Sequence, residues 1–429
     1  MTWFLLAFMG VVLYTTIREK KDFFHPIRIY ILLYSLLFAI YFLRLSRFQE
    51  PWSVTTMMLF WGAVVSFIGG GILVSFYTHK IAPVSAADLS VGTVAGRLEC
   101  GERNVRWGRF LLVTFGLFCL FAASYVQSYL KYRMIPMFSS DPNANRFLFL
   151  TGNFFTDIAG GCGPLVMMLC AEVILVRKGA TRLQRILAAV MLLLSFALYF
   201  TLVTRMPLVR AGIYIVVLYH YLYKPISFKL IIGATVLTIL FFAFGAIVRI
   251  NYSGFSELAQ NLRIHLPQKY ILLTNPYAYA VNNIWNLDFA FKKFVDGNFA
   301  YNHSFGFDTF RPIFYFFRVD GILEAAYHFD GIYNESIEKV AGLNSVFYMW
   351  HFYKDFGPIG VFALSLVLGI GLHVYYYNTL LSPTLYRVAM YGLFVSMIAF
   401  SFMIPLWSFW NIYLEMGILT ITHKTLRIV

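Results

Sequence analysis

The sequence predicts an all-α polytopic membrane protein with about eleven transmembrane helices, within a range of ten to twelve, and one large extracytoplasmic loop. Hydrophobic residues make up 60% of the chain and charged residues only 13%, a balance that soluble globular proteins do not have. Apolar runs long enough to cross a hydrocarbon core of roughly 30 Å recur along the chain. The one long polar segment is residues 249–355.

The apolar runs set the predicted order of elements. Eleven are present, at residues 2–16, 29–43, 55–77, 110–130, 154–176, 186–203, 208–223, 230–248, 357–378, 388–404 and 406–422. They divide the chain into residues 1–248 with eight transmembrane helices, residues 249–355 as the loop, and residues 356–429 with the C-terminal helices. Pro405 would instead kink a single bent helix in a ten-span arrangement. The first run lacks a basic n-region and an A-x-A cleavage site, so we expect it to remain as an anchor.

The short loops predict the orientation. With the N-terminus outside, eighteen Lys and Arg residues fall in cytoplasmic segments and seven in short external loops. Basic residues concentrate on the cytoplasmic side of membrane proteins, so this orientation is favoured and residues 249–355 lie outside. The net charge of +14 then indicates contact with anionic lipid headgroups rather than with nucleic acid.

Three of the seven external basic residues are candidates for ligand binding. Arg205 and Arg210 flank a short segment between two predicted spans, and Arg146 lies in a polar external segment. A guanidinium is a planar fork that suits phosphate. These arginines therefore bind a pyrophosphate at the membrane surface, or they reach out to ordinary lipid phosphates; the sequence leaves both interpretations open.

Ionisable residues are sparse within the predicted spans, where Glu415 is the main exception. A transporter normally carries several such groups at mid-depth, together with internal repeats, and neither pattern is present. Glu415 is more simply interpreted as protonated or paired within the helix bundle. The sequence has no glycine-rich phosphate loop and no acidic pair with metal-ligand spacing, so we expect no nucleotide, cofactor or metal.

The external loop combines aromatic and polar side chains. Helical periodicity at Phe255–Leu266 and Ile284–Phe294 predicts two amphipathic helices along the membrane. Aromatic faces with interspersed carboxylates and amides are what carbohydrate binding requires, but an interfacial aromatic belt has the same composition. Tyr301 is one such aromatic residue.

The end of the loop, Asn344-Ser-Val-Phe-Tyr-Met-Trp-His-Phe-Tyr-Lys-Asp-Phe-Gly-Pro-Ile-Gly360, runs directly into an apolar span. It resembles the bacterial oligosaccharide repeat-unit polymerases, the Wzy-type O-antigen, capsule and exopolysaccharide polymerases. Met134-Ile-Pro136 followed by Arg146, and the arginines at 205 and 210, are similar to further features of that family. Ser345 stands where the family usually has threonine. The motifs cover about thirty residues, and the likeness in architecture covers most of the chain.

The resemblance implies a GT-C-like glycosyltransferase of the bacterial inner membrane, with its large loop in the periplasm. Donor and acceptor would both be oligosaccharides linked to polyprenyl pyrophosphate, and the transfer would need no metal ion. A chain-length regulator and a flippase of the same pathway would be further partners beside the lipid bilayer.

The chemistry of this reaction selects the candidate residues. The leaving pyrophosphate needs cations, for which the candidates are Arg146, Arg205, Arg210, Arg311 and Arg318. The acceptor hydroxyl needs a general base, for which the candidates are His351, His303, Glu335 and Asp320. Asn344 would bind a sugar hydroxyl or cap the following helix, and Tyr301 would stack on a sugar ring. His351 would alternatively be an interfacial residue packed beside Trp350 and Phe352.

Three other functions are compatible with parts of this pattern. An O-antigen ligase would share the fold and the loop but would use lipid A as acceptor. A transporter or flippase of lipid-linked sugars would need buried charges. A scaffold for polysaccharide assembly would have no need of the external arginines.

Overall fold

The computed structural model describes residues 22–81, 105–150, 154–176, 179–265, 267–296, 303–319, 321–322 and 345–425. The predicted all-α class is confirmed for these residues, which form helices and one isolated bridge between Ser46 and Ile264 but no strand. The helices are α1 (Pro26–Tyr41), α2 (Val54–Ile81), α3 (Trp107–Tyr132), α4 (Pro142–Leu150), α5 (Phe154–Leu175), α6 (Arg182–Thr201), α7 (Met206–Leu218), α8 (Phe228–Asn261), α9 (Thr274–Phe291), α10 (Phe307–Phe316), α11 (Tyr348–Leu381), α12 (Leu385–Phe400) and α13 (Trp410–Thr425).

Among the described residues, six helical segments are long and apolar enough to cross a membrane: Val54–Thr78, Trp107–Phe138, Ile158–Leu175, Arg182–Thr201, Met206–Tyr223 and Tyr348–Leu381. Helices α1 and α12 and the segment Lys229–Gly245 of α8 are apolar but shorter. These helices identify a membrane protein, and eleven spans remain a prediction. The first predicted run, residues 2–16, lies outside the described residues.

The apolar runs from residue 29 onward each coincide with a described helix. Residues 388–404 and 406–422 belong to separate helices, because α12 ends at Phe400 and α13 begins at Trp410. Between them Leu406–Ser408 forms a short 3₁₀ helix directly after Pro405. Pro405 therefore lies in the connection between two helices and does not kink one continuous helix.

Two units make up the chain. The first comprises Met1–Pro83, Ser253–Tyr377 and Met397–Tyr413, and the second comprises Val84–Tyr252, Asn378–Ser396 and Leu414–Val429. The described residues of the predicted loop from Ser253 onward therefore belong to the same unit as α1, α2 and most of α11. They do not form a separate unit.

Aromatic rings and glycines hold the first unit together. Tyr30 of α1 stacks on Phe67 of α2 at 4.2 Å between ring centroids and hydrogen-bonds Tyr348 of α11, with 2.9 Å between the hydroxyl oxygens. A Cβ added to Gly369 would lie 2.2 Å from the carbonyl oxygen of Phe67. Helices α2 and α11 thus approach to backbone contact, as small residues allow in membrane bundles.

Helix α9 differs from its prediction. The sequence indicated an amphipathic helix along the membrane, whereas the helix is buried on nearly all sides. Its polar residues are buried as well, including Asn282, Asn283 and Asn286, each with no exposed surface. Asn286 donates from Nδ2 to the carbonyl oxygen of Ser345 at 2.9 Å, so this amide face packs inside the unit.

In the second unit, α3, α5, α6 and α7 pack around a core that includes Phe121, Cys162, Tyr199 and Leu208. A Cβ on Gly163 would lie 2.2 Å from the Tyr199 ring. Glycine at this position lets α5 and α6 approach closely.

Candidate functional site

Residues 303–309 and the first turns of α11 form the best-defined candidate site, which lies within the first unit. The helix is broken at Phe356 and Gly357, where Gly357 has φ +64° and ψ −154°. This backbone conformation is essentially restricted to glycine, and Pro358 removes one more helical donor. The Asp-Phe-Gly-Pro sequence thus explains the break in the helix.

The break leaves backbone carbonyls near it for other donors. Ser304 N donates to the carbonyl of Lys354 at 3.2 Å, and Phe305 N donates to the carbonyl of Asp355 at 3.0 Å. His303 donates from Nδ1 to the carbonyl of Lys354 at 3.2 Å, since a carbonyl can only accept. A Cβ on Gly357 would lie 2.9 Å from His303 Nε2. The candidate base His303 is therefore held directly beside the Asp355-Phe-Gly-Pro358 sequence.

Asp355 holds the N-terminus of α10 in place. Its carboxylate has no exposed surface and accepts hydrogen bonds from the Ser304 hydroxyl, from Asp308 N at 2.9 Å and from Thr309 N at 2.8 Å. The first backbone N–H groups of a helix have no partner within the helix, and they favour a negative charge. Asp355 thus caps α10 from a position remote in sequence.

The cap positions Asp308 against two basic side chains. Asp308 Oδ2 accepts from His351 Nδ1 in a short hydrogen bond and forms an ion pair with Lys354 Nζ at 2.7 Å. Burial by itself would raise the pKa of Asp308, but the neighbouring Lys354 and His351 outweigh it and hold that pKa well below its usual range. Asp308 is therefore an ionised carboxylate, which can only accept hydrogen bonds. His351 must accordingly donate from Nδ1.

This arrangement fixes the role of each imidazole nitrogen. Because the carboxylate accepts from Nδ1, the neutral ring of His351 has a lone pair on Nε2, which can take a proton. The described residues make no hydrogen bond to Nε2, and the side chain is 19% exposed. A carboxylate that orients a histidine and stabilises its protonated form is a recurrent device for general-base catalysis.

Two predicted arginines lie on or just after the helix that carries Asp308. Arg311 is exposed, follows Asp308 by about one turn, and has no partner among the described residues. Arg318, beyond the end of α10, has φ +59° and stacks its guanidinium over the Tyr315 ring at 5.7 Å. Of these two arginines, Arg311 is therefore the better placed to meet an anionic ligand.

Arg146, Arg205 and Arg210 belong to the second unit. Arg210 is 2% exposed, and its Nη2 forms a short ion pair with Glu415, which has no exposed surface. The interpretation of Glu415 as a paired carboxyl agrees with this contact. Arg205 is 5% exposed and lies against Gly245, and Arg146 is half-buried on α4. The guanidinium of Arg210 therefore lies inside the helix bundle rather than at its surface.

Four further predicted site residues, Tyr301, Asp320, Glu335 and Asn344, lie outside the described residues. Sequence reasoning missed Asp308, Lys354 and Asp355 as site residues, although the last two stand in the quoted motif. Asp308 precedes His351 by 43 residues, so no local spacing pointed to it. Within the described part of the chain, no three His, Cys, Asp or Glu side chains converge as metal ligands.

No family model, curated protein or solved structure matches the chain.

Proposed function

We propose that this protein is a membrane-embedded glycosyltransferase that polymerises oligosaccharide repeat units carried on polyprenyl pyrophosphate. The reaction would take place at the outer face of a bacterial inner membrane and would build a surface polysaccharide such as O-antigen or capsule. The observation that carries the proposal is the His351–Asp308 pair, in which His351 belongs to the segment that resembles the repeat-unit polymerases.

The proposed step is a displacement at the anomeric carbon of the donor chain. A hydroxyl oxygen of the acceptor unit bonds to that carbon, while the bond from the carbon to the pyrophosphate oxygen breaks. His351 Nε2 takes the hydroxyl proton, and Asp308 stabilises the resulting imidazolium. The lipid pyrophosphate leaves with the bonding electrons.

The leaving group gains negative charge, and a guanidinium stabilises that charge. Arg311 is the leading candidate because it is exposed and unpartnered among the described residues. Arg210 is already neutralised by Glu415, so its predicted role in binding pyrophosphate needs a test that separates binding from stability. Arg146, Arg205 and Arg318 remain further candidates.

The decisive experiment is polymerisation by the purified protein. The wild type in detergent is incubated with a lipid-pyrophosphate-linked repeat unit from its own host, without nucleotide and with a chelator, and the products are separated on a gel. We expect a ladder of lengthened chains. General-base catalysis is worth roughly 10²- to 10⁴-fold in rate, so His351→Gln should lose the ladder at matched protein amounts. His265→Gln is the control, since His265 is an exposed histidine of the same unit.

The products also separate the alternatives. Transfer of the glycan to added lipid A, without longer lipid-linked chains, would replace the polymerase with a ligase. No transfer to either acceptor by folded protein would overturn the proposed chemistry.

A transporter of lipid-linked sugars is the second candidate, and one observation favours it. Glu172, which is fully buried in α5, accepts from the Tyr214 hydroxyl at 2.6 Å and lies 3.0 Å from His423 Nε2. Buried ionisable groups within apolar helices often mark transport pathways. Reconstituted protein that moves a fluorescent lipid-linked oligosaccharide across the bilayer without lengthening it would support this candidate.

A further inference from the structure

Helix α10 presents a second feature beside Asp308, a group of exposed apolar side chains. This apolar patch consists of Phe305, Phe310, Ile313, Phe316 and Phe317, which are 76%, 43%, 41%, 72% and 67% exposed. Phe310 and Ile313 are three residues apart and Phe317 follows at seven, the spacing of one helical face. The exposed apolar side chains therefore extend from Phe305, just before α10, to Phe317, just after it.

The opposite side of the helix is already occupied. Phe307, Asp308, Thr309 and Pro312 are buried, and the helix packs against the short 3₁₀ helix Leu406–Ser408. The apolar patch thus lies on the side of α10 that the rest of the protein leaves uncovered. Large contiguous apolar patches on a protein surface usually mark a surface that contacts another molecule or a membrane.

The exposed charge on α10 is positive. Asp308, its one acidic residue, is buried and paired with His351 and Lys354. Arg311 is exposed, and Arg318 lies just past the helix end. A helix with an apolar face and flanking arginines has the composition of helices that lie in the interfacial layer of a bilayer, where the arginines meet lipid phosphates.

We propose that α10 is an interfacial anchor whose apolar patch is inserted among the lipid headgroups and upper acyl chains, with Arg311 at the level of the lipid phosphates. The partner is the bilayer itself, which the apolar helices of the same chain already require. This inference does not depend on the proposed enzymatic activity.

The anchor has a consequence for the candidate site. Asp308 sits on α10, and Asp355 of the helix α11 caps the same α10. Seating α10 in the interface therefore fixes the depth of the His351–Asp308 pair at the lipid–water boundary. A group bound to a lipid head at that boundary is the kind of substrate such a site would meet.

Spin labels measure this depth directly. Single cysteines replace Ile313, Phe316 and Phe317 in full-length protein carrying Cys100→Ala and Cys119→Ala; Cys162 and Cys170 are buried and do not need replacement. Each variant is labelled in phosphatidylcholine nanodiscs with and without phosphatidylglycerol. Collision of the label with oxygen, which concentrates in lipid, is compared with collision with a water-soluble nickel complex.

Two positions of the same unit serve as references. Val65→Cys, which is 67% exposed on α2, provides the lipid reference, and Glu257→Cys provides a polar surface reference. We expect the ratio of oxygen to nickel collisions at the three patch positions to exceed that at Glu257 several-fold and to approach that at Val65. Adding Arg311→Glu should shift the label at Phe316 towards water, and this shift should be larger with phosphatidylglycerol present.

Two results would overturn the proposal. A ratio equal to that at Glu257 would place the patch in water. Low collision with both reagents would mean that protein covers the patch, either a second copy of the chain or another of its segments. All three patch positions are exposed on a short helix, so the substitutions should leave the fold intact, and elution as a single species on size exclusion confirms this for each variant.

Discussion

Asp308 is ionised because two basic side chains meet it in a buried position. Lys354 and His351 hold its pKa well below the usual range, despite the opposing effect of burial. The free carboxyl of an unfolded chain has a pKa of about 3.9. A depressed pKa of this kind contributes stability that is fully present above the unfolded value and is lost as the pH falls through the folded value.

Asp308→Asn should therefore destabilise the protein in a pH-dependent way. Removing one partner of a buried charged group costs about 3–5 kcal/mol, so we expect a clearly lower thermal unfolding midpoint at pH 7. The difference from the wild type should shrink below about pH 4, where the unfolded wild-type chain binds a proton at this position. Unfolding in detergent across this pH range measures both effects.

Glu257→Gln is the matched control, because Glu257 is an exposed carboxylate of the same unit. Its midpoint should differ little from that of the wild type at either pH. An Asp308→Asn effect of constant size between pH 7 and pH 3 would contradict the ionised, charge-paired carboxylate.

Gly357 places a second constraint on the candidate site. Its backbone lies in a region that is almost restricted to glycine, and an added Cβ would lie 2.9 Å from His303 Nε2. Gly357→Ala should cost about 1–3 kcal/mol in strain and should displace His303 from the helix break. Gly371→Ala tests an open position of the same helix, with no atom within 4 Å of the new Cβ. Unfolding midpoints of both variants decide the matter, and equal stability would remove the argument for strain.

At the scale of single elements, most helices could be predicted because hydropathy is a local property of the sequence. The break in α11 also has a local cause in the sequence, the Gly357-Pro358 pair. What could not be predicted depends on distant partners. The buried surroundings of α9 come from residues far along the chain, such as Ser345. His351 likewise acquires its carboxylate from a helix 43 residues earlier.

The buried pair Arg210–Glu415 links α7 and α13 in the second unit. Arg210→Met should destabilise the protein by about 3–5 kcal/mol, because it leaves Glu415 buried without a counter-charge. The double variant Arg210→Met/Glu415→Met removes both charges, and most of the stability should return. Thermal unfolding of the two single variants and the double variant gives the coupling between the two side chains.

Activity of the same double variant then separates two roles for Arg210. A stable double variant that still makes polymer would show that the arginine is structural, as its ion pair indicates. A stable double variant without polymer would restore Arg210 as a pyrophosphate ligand. A double variant no more stable than Arg210→Met would contradict the account of the ion pair itself.

The orientation of the protein in the membrane determines which side each segment faces. The distribution of eighteen basic residues against seven predicts that α10 lies outside and that the segments before α6 and α8 lie in the cytoplasm. The proposed function needs this orientation, since the lipid-linked substrate would be polymerised at the outer face. The orientation is therefore a premise of the proposed function that can be tested separately.

Single cysteines test this premise in intact cells. With Cys100 and Cys119 replaced by alanine, Glu257→Cys and His265→Cys, both at exposed positions, should react with a membrane-impermeant maleimide applied from outside. Arg182→Cys and Lys224→Cys, which replace exposed residues, should react only after the membrane is permeabilised. The reverse pattern would place His351 and Asp308 in the cytoplasm, where an external polymerisation reaction could not use them. Protection of all four positions until the protein is denatured would mean that these surfaces are covered, and the assignment of exposed segments would then fail with the topology.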